Sequence, residues 1–167
     1  MLTEKTITRK TEEYNKFERL YRTAFPREER VPLKYLMRKN SGNHMAACCD
    51  GSMFCGFYAT WTYGDITWIT FLAVAEELRC SGYGSQLLDI INAHFSGNRI
   101  ILDIEEEDSN AKNNAQRIRR KAFYMRNGFV ASGIKYSWNG VSYEIMIRNG
   151  NITETEFESL WNSIDDE

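Results

Sequence analysis

Hydrophobic positions along this chain change their spacing several times, and the changes mark its elements. Thr3–Arg9 reads as a short strand. From Thr11 to Ala24 the residues Tyr14, Phe17, Leu20, Tyr21 and Ala24 fall on one face at helical spacing. Pro26 ends that helix, Phe25-Pro26-Arg27-Glu28-Glu29-Arg30 forms a charged link, and Pro32 suits the first turn of a second helix carrying Leu33, Tyr35, Leu36 and Met37. Asn40–Asn43 is a turn. A β-meander follows, with strands at His44–Cys49, Ser52–Tyr63 and Ile66–Val74 joined by Asp50-Gly51 and Gly64-Asp65.

A second helix-and-strand alternation completes the pattern. A helix at Gln86–Phe95 buries Leu87, Leu88, Ile91 and Phe95, and Gly97 suits its C′ position. Ile100–Ile104 is short and almost continuously apolar, as expected of a strand buried on both faces. The polar segment Asp108–Asn114 leads into a long helix that closes on Asn127-Gly128. Phe129–Trp138 and Val141–Ile147 form a hairpin about Asn139-Gly140. Thr153-Glu154-Thr155-Glu156 is a capping box for a last helix with Phe157, Leu160, Trp161 and Ile164 on one face. The order is β-α-α-β-β-β-α-β-α-β-β plus a C-terminal helix, a mixed α/β sheet. Strands flanking the Gln86–Phe95 helix are parallel neighbours if the crossover is right-handed.

Composition narrows the class. At 167 residues a single domain, 1–167, is expected, with a core at 1–148 and the last helix at 153–165. A hydrophobic fraction of 43% suits a packed globule, and a net charge of −2 gives no electrostatic reason to expect nucleic acid or a membrane surface as partner. No apolar stretch nears the roughly 20 residues of a membrane span. Met1 to Lys5 is not the apolar segment of a signal peptide, so a cytoplasmic protein with reduced thiols is expected from Cys48, Cys49, Cys55 and Cys80. Cys48 and Cys55 could face each other across a hairpin. His44 and His94 look isolated, and no metal is expected.

The chemistry concentrates at Arg79-Cys80-Ser81-Gly82-Tyr83-Gly84-Ser85, between a strand and a helix start. Gly82 and Gly84 permit close backbone approach and positive φ. A helix N-terminus behind them offers unpaired N–H groups and a positive dipole end to a phosphate. A Walker loop is excluded because its lysine is missing, and a dinucleotide fingerprint because Leu87 stands where a third glycine belongs.

Arg79, Gly82 and Gly84 match the R/Q-x-x-G-x-G/A pyrophosphate loop of the GNAT-type N-acetyltransferases. Leu72-Ala73-Val74 ends the preceding strand at that family's spacing, and Phe123-Tyr124 with Gly128-Phe129 resembles its later F-Y-x-x-x-G-F motif. The resemblance covers residues 1 to 148 and implies a GNAT-like acyl-CoA N-acyltransferase fold with acetyl-CoA as cosubstrate. It implies that the amides of Cys80, Ser81, Gly82, Tyr83, Gly84 and Ser85 receive the pyrophosphate, with Arg79 adding a charge-assisted bond. Leu72, Ala73 and Val74 would meet the pantetheine arm, and Tyr124 resembles the family's general acid. Two positions depart from the family pattern. Arg117 stands where an asparagine is frequent, although Asn110, Asn113 or Asn114 could substitute. Trp68 stands where the histone-acetylating branch has a glutamate base.

The attacking amine must lose a proton. Glu105, at the end of its buried strand, is the first candidate base, and Glu29 in the charged link is the second. The acidic run Glu105–Asp108 and the cations Arg117, Arg119, Arg120 and Lys121 are expected to pair or stay solvated. The resulting expectation is an acyltransferase that moves acetyl directly to a primary amine of a small molecule or peptide. The alternatives are a non-catalytic acyl-CoA sensor and transfer of a longer acyl group. A homodimer through the last helix is the minority arrangement.

Overall fold

The computed structural model describes residues 1–40 and 42–165. Ser41, inside the expected turn at Asn40–Asn43, lies outside the described residues, as do Asp166 and Glu167. The elements are β1 (Leu2–Thr6), α1 (Tyr14–Ala24), α2 (Leu33–Leu36), β2 (Asn43–Asp50), β3 (Met53–Tyr63), β4 (Ile66–Val74), a 3-10 turn at Glu76–Leu78, α3 (Tyr83–His94), β5 (Arg99–Glu105), α4 (Asn114–Arg126), β6 (Val130–Trp138), β7 (Val141–Arg148) and α5 (Glu154–Asp165). The strands form one seven-stranded mixed sheet in the order β1-β2-β3-β4-β5-β7-β6. The predicted element order is therefore the observed one. Among the described residues, no helix is long and apolar enough to cross a membrane.

The chain groups into two compact units: Met1–Thr62 with Ile69–Ser96, and Tyr63–Trp68 with Gly97–Glu167. β4 contributes its first residues to the second and the rest to the first.

In the first unit, strand register sorts side chains onto two faces. Ala46 opposes Tyr58, His44 opposes Thr60 and Glu4 opposes Cys48, so these share one face. The alternate residues Met45, Ala47, Cys49, Phe57 and Ala59 turn the other way into an apolar cluster with Phe17, Leu20, Tyr21 and Leu36 of α1 and α2. Aromatic rings dominate that cluster. Phe17 meets Phe57 edge-on at 4.7 Å, while Phe71 receives Tyr21 at 5.1 Å and Phe25 at 5.0 Å. Such pairs add about 0.5–1.5 kcal/mol each beyond their burial.

All four cysteines are free, with Cys48, Cys49 and Cys55 buried and Cys80 exposed. Cys48 pairs with Gly56 and Cys49 with Phe54, so Cys55 falls in the irregularity between them and not opposite Cys48.

In the second unit, β5 pairs antiparallel with β7, and β7 with β6. The capping box of α5 forms as predicted: the Glu156 backbone N–H donates to Thr153 Oγ1 at 3.2 Å, and Thr153 N–H donates to Glu156 Oε2 at 2.9 Å. The apolar face of α5 lands on aromatic rings, with Trp161 5.5 Å from Trp68 and Phe157 6.0 Å from Tyr136.

Candidate active site

The segment expected to receive the pyrophosphate lies wholly in the first unit. β4 ends at Val74, Ala75 is buried, and its N–H donates to Cys55 O at 2.8 Å. A Cβ on Gly56 would sit 2.3 Å from the Ala73 carbonyl oxygen, so only glycine lets the end of β4 lie this close to β3. Leu72 and Val74 are half-buried and Ala73 is buried. After the 3-10 turn, Arg79 is extended, Cys80 takes φ 62° and Gly82 takes φ 85° as the residue preceding α3. Left-handed residues in a loop of this kind are the backbone states from which anion nests are built. No side chain caps the first turn of α3.

Three details differ from the sequence reading. The helix begins at Tyr83, so Tyr83, Gly84 and Ser85 belong to its first turn and not to the loop. Only Gly82 of the two glycines has positive φ; the second left-handed residue is Cys80, which nothing in its type announces. Arg79 is exposed, and its Nε–H donates to Val74 O at 3.4 Å, folding the side chain back along its own segment.

The second unit holds two of the predicted proton-handling residues, Tyr124 and Glu105. Tyr124 sits in the last turn of α4, half-buried, with its ring 5.2 Å from Phe123 and 5.8 Å from Phe129. Removal from water pushes its phenol up to about 12; nearby Arg120 opposes the shift and Asp103 adds to it. It stays protonated throughout the neutral range.

Glu105 ends β5 as expected, but its carboxylate is engaged. Oε2 lies 2.6 Å from Arg117 Nη2, Oε1 lies 4.0 Å from Arg120 Nη1, and Asn113 Nδ2 lies 3.5 Å from Oε2. Arg117 and Glu105 are only 13% and 16% exposed, so this pair is little screened. Arg117 also donates to Asn113 Oδ1 at 2.9 Å and to Glu106 O at 2.9 Å. Asn114 Oδ1 accepts from Asp108 N–H at 2.8 Å. The arginine in the family's asparagine position thus organises the β5–α4 link. Lys121 pairs with Glu144 at 3.1 Å and Lys135 with Glu106 at 2.6 Å.

Asp103, two residues before Glu105, is the carboxylate that sequence reasoning passed over. Its Oδ1 accepts from Trp68 Nε1 at 3.0 Å and its Oδ2 from Tyr136 OH at 2.5 Å. Burial raises its pKa, and these two hydrogen bonds hold the rise in check. A polar residue inside the apolar run Ile100–Ile104 was the available signal.

Glu29 belongs to the first unit, half-buried in the turn after α1, where its N–H donates to Pro26 O at 3.0 Å. Beside it opens a cavity of about 270 Å³ lined by Tyr21, Arg22, Arg27, Arg30 and Val31. Arg30 Nε is buried there without a hydrogen-bond partner.

The two histidines are not isolated. The rings of His44 and His94 meet with centroids 4.3 Å apart and their planes tilted by 31°.

A strand, a left-handed loop and an uncapped helix end in this sheet order define an acyl-CoA N-acyltransferase fold. Residues 40–131, more than half of the chain and including both motifs, match the acetyltransferase (GNAT) domain. The chain belongs to the GNAT acetyltransferase family, and it is an acyltransferase. Among solved structures, a GNAT-family protein from Bacteroides thetaiotaomicron superposes with TM-score 0.80 at 22% identity, covering 97% of this chain and 95% of that one. The ribosomal-protein-S18-alanine N-acetyltransferase of Escherichia coli gives 0.65 at 17%, covering 92% and 96%. An aminoglycoside 6′-N-acetyltransferase complexed with coenzyme A gives 0.66 at 18%, covering 87% and 96%. At these identities the likenesses speak for the fold. Comparison with curated protein sequences gives no match.

Proposed function

We propose that the protein transfers the acetyl group of acetyl-CoA directly to a primary amine of a small molecule or peptide. The observation that carries this is the loop itself: Cys80 and Gly82 in left-handed conformation ahead of an uncapped α3, within the segment matched to the family. In this reading the pyrophosphate lies on the N–H groups of Cys80 through Ser85. The pantetheine arm runs along the backbone of Leu72–Val74.

The acceptor nitrogen attacks the thioester carbon to form a tetrahedral oxyanion, and the nitrogen's proton passes to a base. Collapse then breaks the C–S bond to release CoA as a thiolate, which takes its proton from solvent. Tyr124 supplies the hydrogen bond that the departing thiolate needs. With a pKa of about 12 the phenol lies more than three units above an ordinary thiol at about 8.5, so it serves as a neutral hydrogen-bond donor that keeps its proton. Of the carboxylates, Asp103 suits the base better than Glu105. Burial moves Asp103 toward the working pH, whereas the charge of Glu105 is already met by Arg117. Glu29 and the cavity beside the link shape the acceptor end. Arg27 and Arg30 there favour an amine whose molecule also bears a carboxylate or phosphate, while Arg22 is already paired with Glu18 at 2.9 Å.

The test is release of free thiol from acetyl-CoA across a panel of amines, each offered with and without an acidic group. Turnover enhanced by the acidic group supports the reading. Tight acetyl-CoA binding with no turnover on any amine would leave only a cofactor sensor.

A further inference from the structure

On the strand face beneath α3, opposite the aromatic cluster, four polar side chains converge, with His44 and Glu4 half-buried and His94 exposed. Glu4 comes from β1, His44 from β2, Tyr58 from β3 and His94 from the last turn of α3. His94 Nδ1 lies 2.6 Å from Glu4 Oε1, and His44 Nε2 lies 3.1 Å from the Tyr58 hydroxyl. That hydroxyl gives its single proton to Glu4 Oε2, so it accepts from His44. One ligand atom each from Glu4, His44 and His94 falls within 4.8 Å of the others. All of these residues belong to the first unit.

We propose that Glu4, His44 and His94 bind a divalent transition-metal ion, with Zn²⁺ the fitting species. Two imidazoles and one carboxylate are a donor set suited to Zn²⁺, which takes nitrogen at about 2.0–2.1 Å and oxygen at about 2.0–2.2 Å. Bringing three atoms from within 4.8 Å onto such an ion needs side-chain rotation and no change of strand register. The Tyr58 hydroxyl, hydrogen-bonded to Glu4, orients the carboxylate from outside the ligand set. The carboxyl end of α3 adds a favourable field, because His94 lies where the helix dipole is negative.

The position gives the ion a structural consequence. It would tie β1 and β2 to the C-terminal turn of α3, the helix whose opposite end carries the left-handed loop. A bound ion of this kind stabilises the folded chain in proportion to its concentration over Kd. It takes no part in acyl transfer, so failure of this site leaves the acetyltransferase reading untouched.

The chain has only two histidines, and both are in this cluster, so the experiment needs no mutation to be decisive. Chelator-stripped protein labelled with ¹⁵N at the imidazoles is titrated with ZnCl₂ and followed by NMR. One equivalent should move the Nε2 and Nδ1 signals of both histidines together and raise Tm. Co²⁺ should give ligand-field bands without an intense thiolate charge-transfer band. Glu4→Gln and His94→Gln should each weaken Zn²⁺ binding by about 10-fold or more. No imidazole shift at about ten equivalents overturns the proposal, as does a shift of one histidine alone. So does a thiolate band that assigns the ion to cysteine.

Discussion

Phe129 donates its backbone N–H to the carbonyl oxygen of Tyr124 at 3.1 Å, and the two rings lie 5.8 Å apart. With Gly128 N–H donating to Met125 O at 3.1 Å and Gly128 at φ 87°, this is a Schellman cap closing α4. The F-Y-x-x-x-G-F pattern thereby has a physical meaning: Gly128 permits the left-handed residue that ends the helix, and Phe129 folds back to clamp Tyr124. Gly128→Ala forces a side chain into that left-handed conformation at a cost of about 1–2 kcal/mol. The expected result is a Tm lower by roughly 2–8 °C. Turnover per folded molecule should also fall, because the clamp on Tyr124 loosens. Calorimetry with steady-state kinetics checks both; an unchanged Tm refutes the capping role.

Tyr124→Phe removes one oxygen and leaves the ring contacts to Phe123 and Phe129 in place. As the thiolate's hydrogen-bond donor, Tyr124 should account for about 10²-fold in kcat. Acetyl-CoA affinity should stay within about twofold, since the pyrophosphate loop lies on other residues. With the phenol pushed up to about 12, no limb of the pH–rate profile between 6 and 10 belongs to it. An unaltered kcat in the variant assigns Tyr124 to packing alone.

Element types and order were legible in the chain because periodicity and turn residues agree along most of it. Ile66–Val74 was read to the residue. The helix after the loop was expected three residues late, since Tyr83-Gly84-Ser85 carries no apolar spacing to mark a helix start. The second helix shrank to Leu33–Leu36, although Pro32 does precede it as anticipated. What sequence hid were relations between distant positions. Asp103 meets Trp68 and Tyr136 only through strand pairing, and Glu4, His44 and His94 meet because three separate elements share one face. Arg117 occupying Glu105 is of the same kind.

At the loop, Gly82 and Gly84 should respond differently. Gly82→Ala meets no atom within 4 Å, so its cost comes from φ 85° alone, again about 1–2 kcal/mol. If the loop relaxes to relieve that strain, its N–H groups turn from the anion, and acetyl-CoA Kd should rise by about 10-fold. Gly84 is helical, and alanine there favours the helix by about 1 kcal/mol. Gly84→Ala should therefore hold or raise Tm, and any loss of affinity reports the new methyl group meeting the cofactor. Calorimetric titration with CoA distinguishes the two. Equal effects on Tm would contradict the assigned backbone states.

Asp103 offers a prediction whose sign depends on its burial. Its folded pKa lies above that of the unfolded chain, so folding is favoured below the unfolded value of about 4. That advantage is lost as pH rises through the folded value. Asp103→Asn removes the ionisation while keeping an oxygen for Trp68 Nε1. Relative to the parent, the variant should therefore gain stability between pH 4.5 and pH 7.5, as read by urea unfolding at both. A flat or falling difference would mean the carboxyl is not raised. Kinetics run the other way: as the base, Asp103 must be ionised, so kcat/KM in the parent should climb with pH through the same raised value. Asp103→Asn should lose about 10²-fold or more of that rate and the acidic limb with it. Glu105→Gln, which breaks the Arg117 pair, should lower Tm and keep the limb. If Glu105→Gln abolishes the limb and Asp103→Asn leaves it, the base is Glu105, and Arg117 must move aside during turnover.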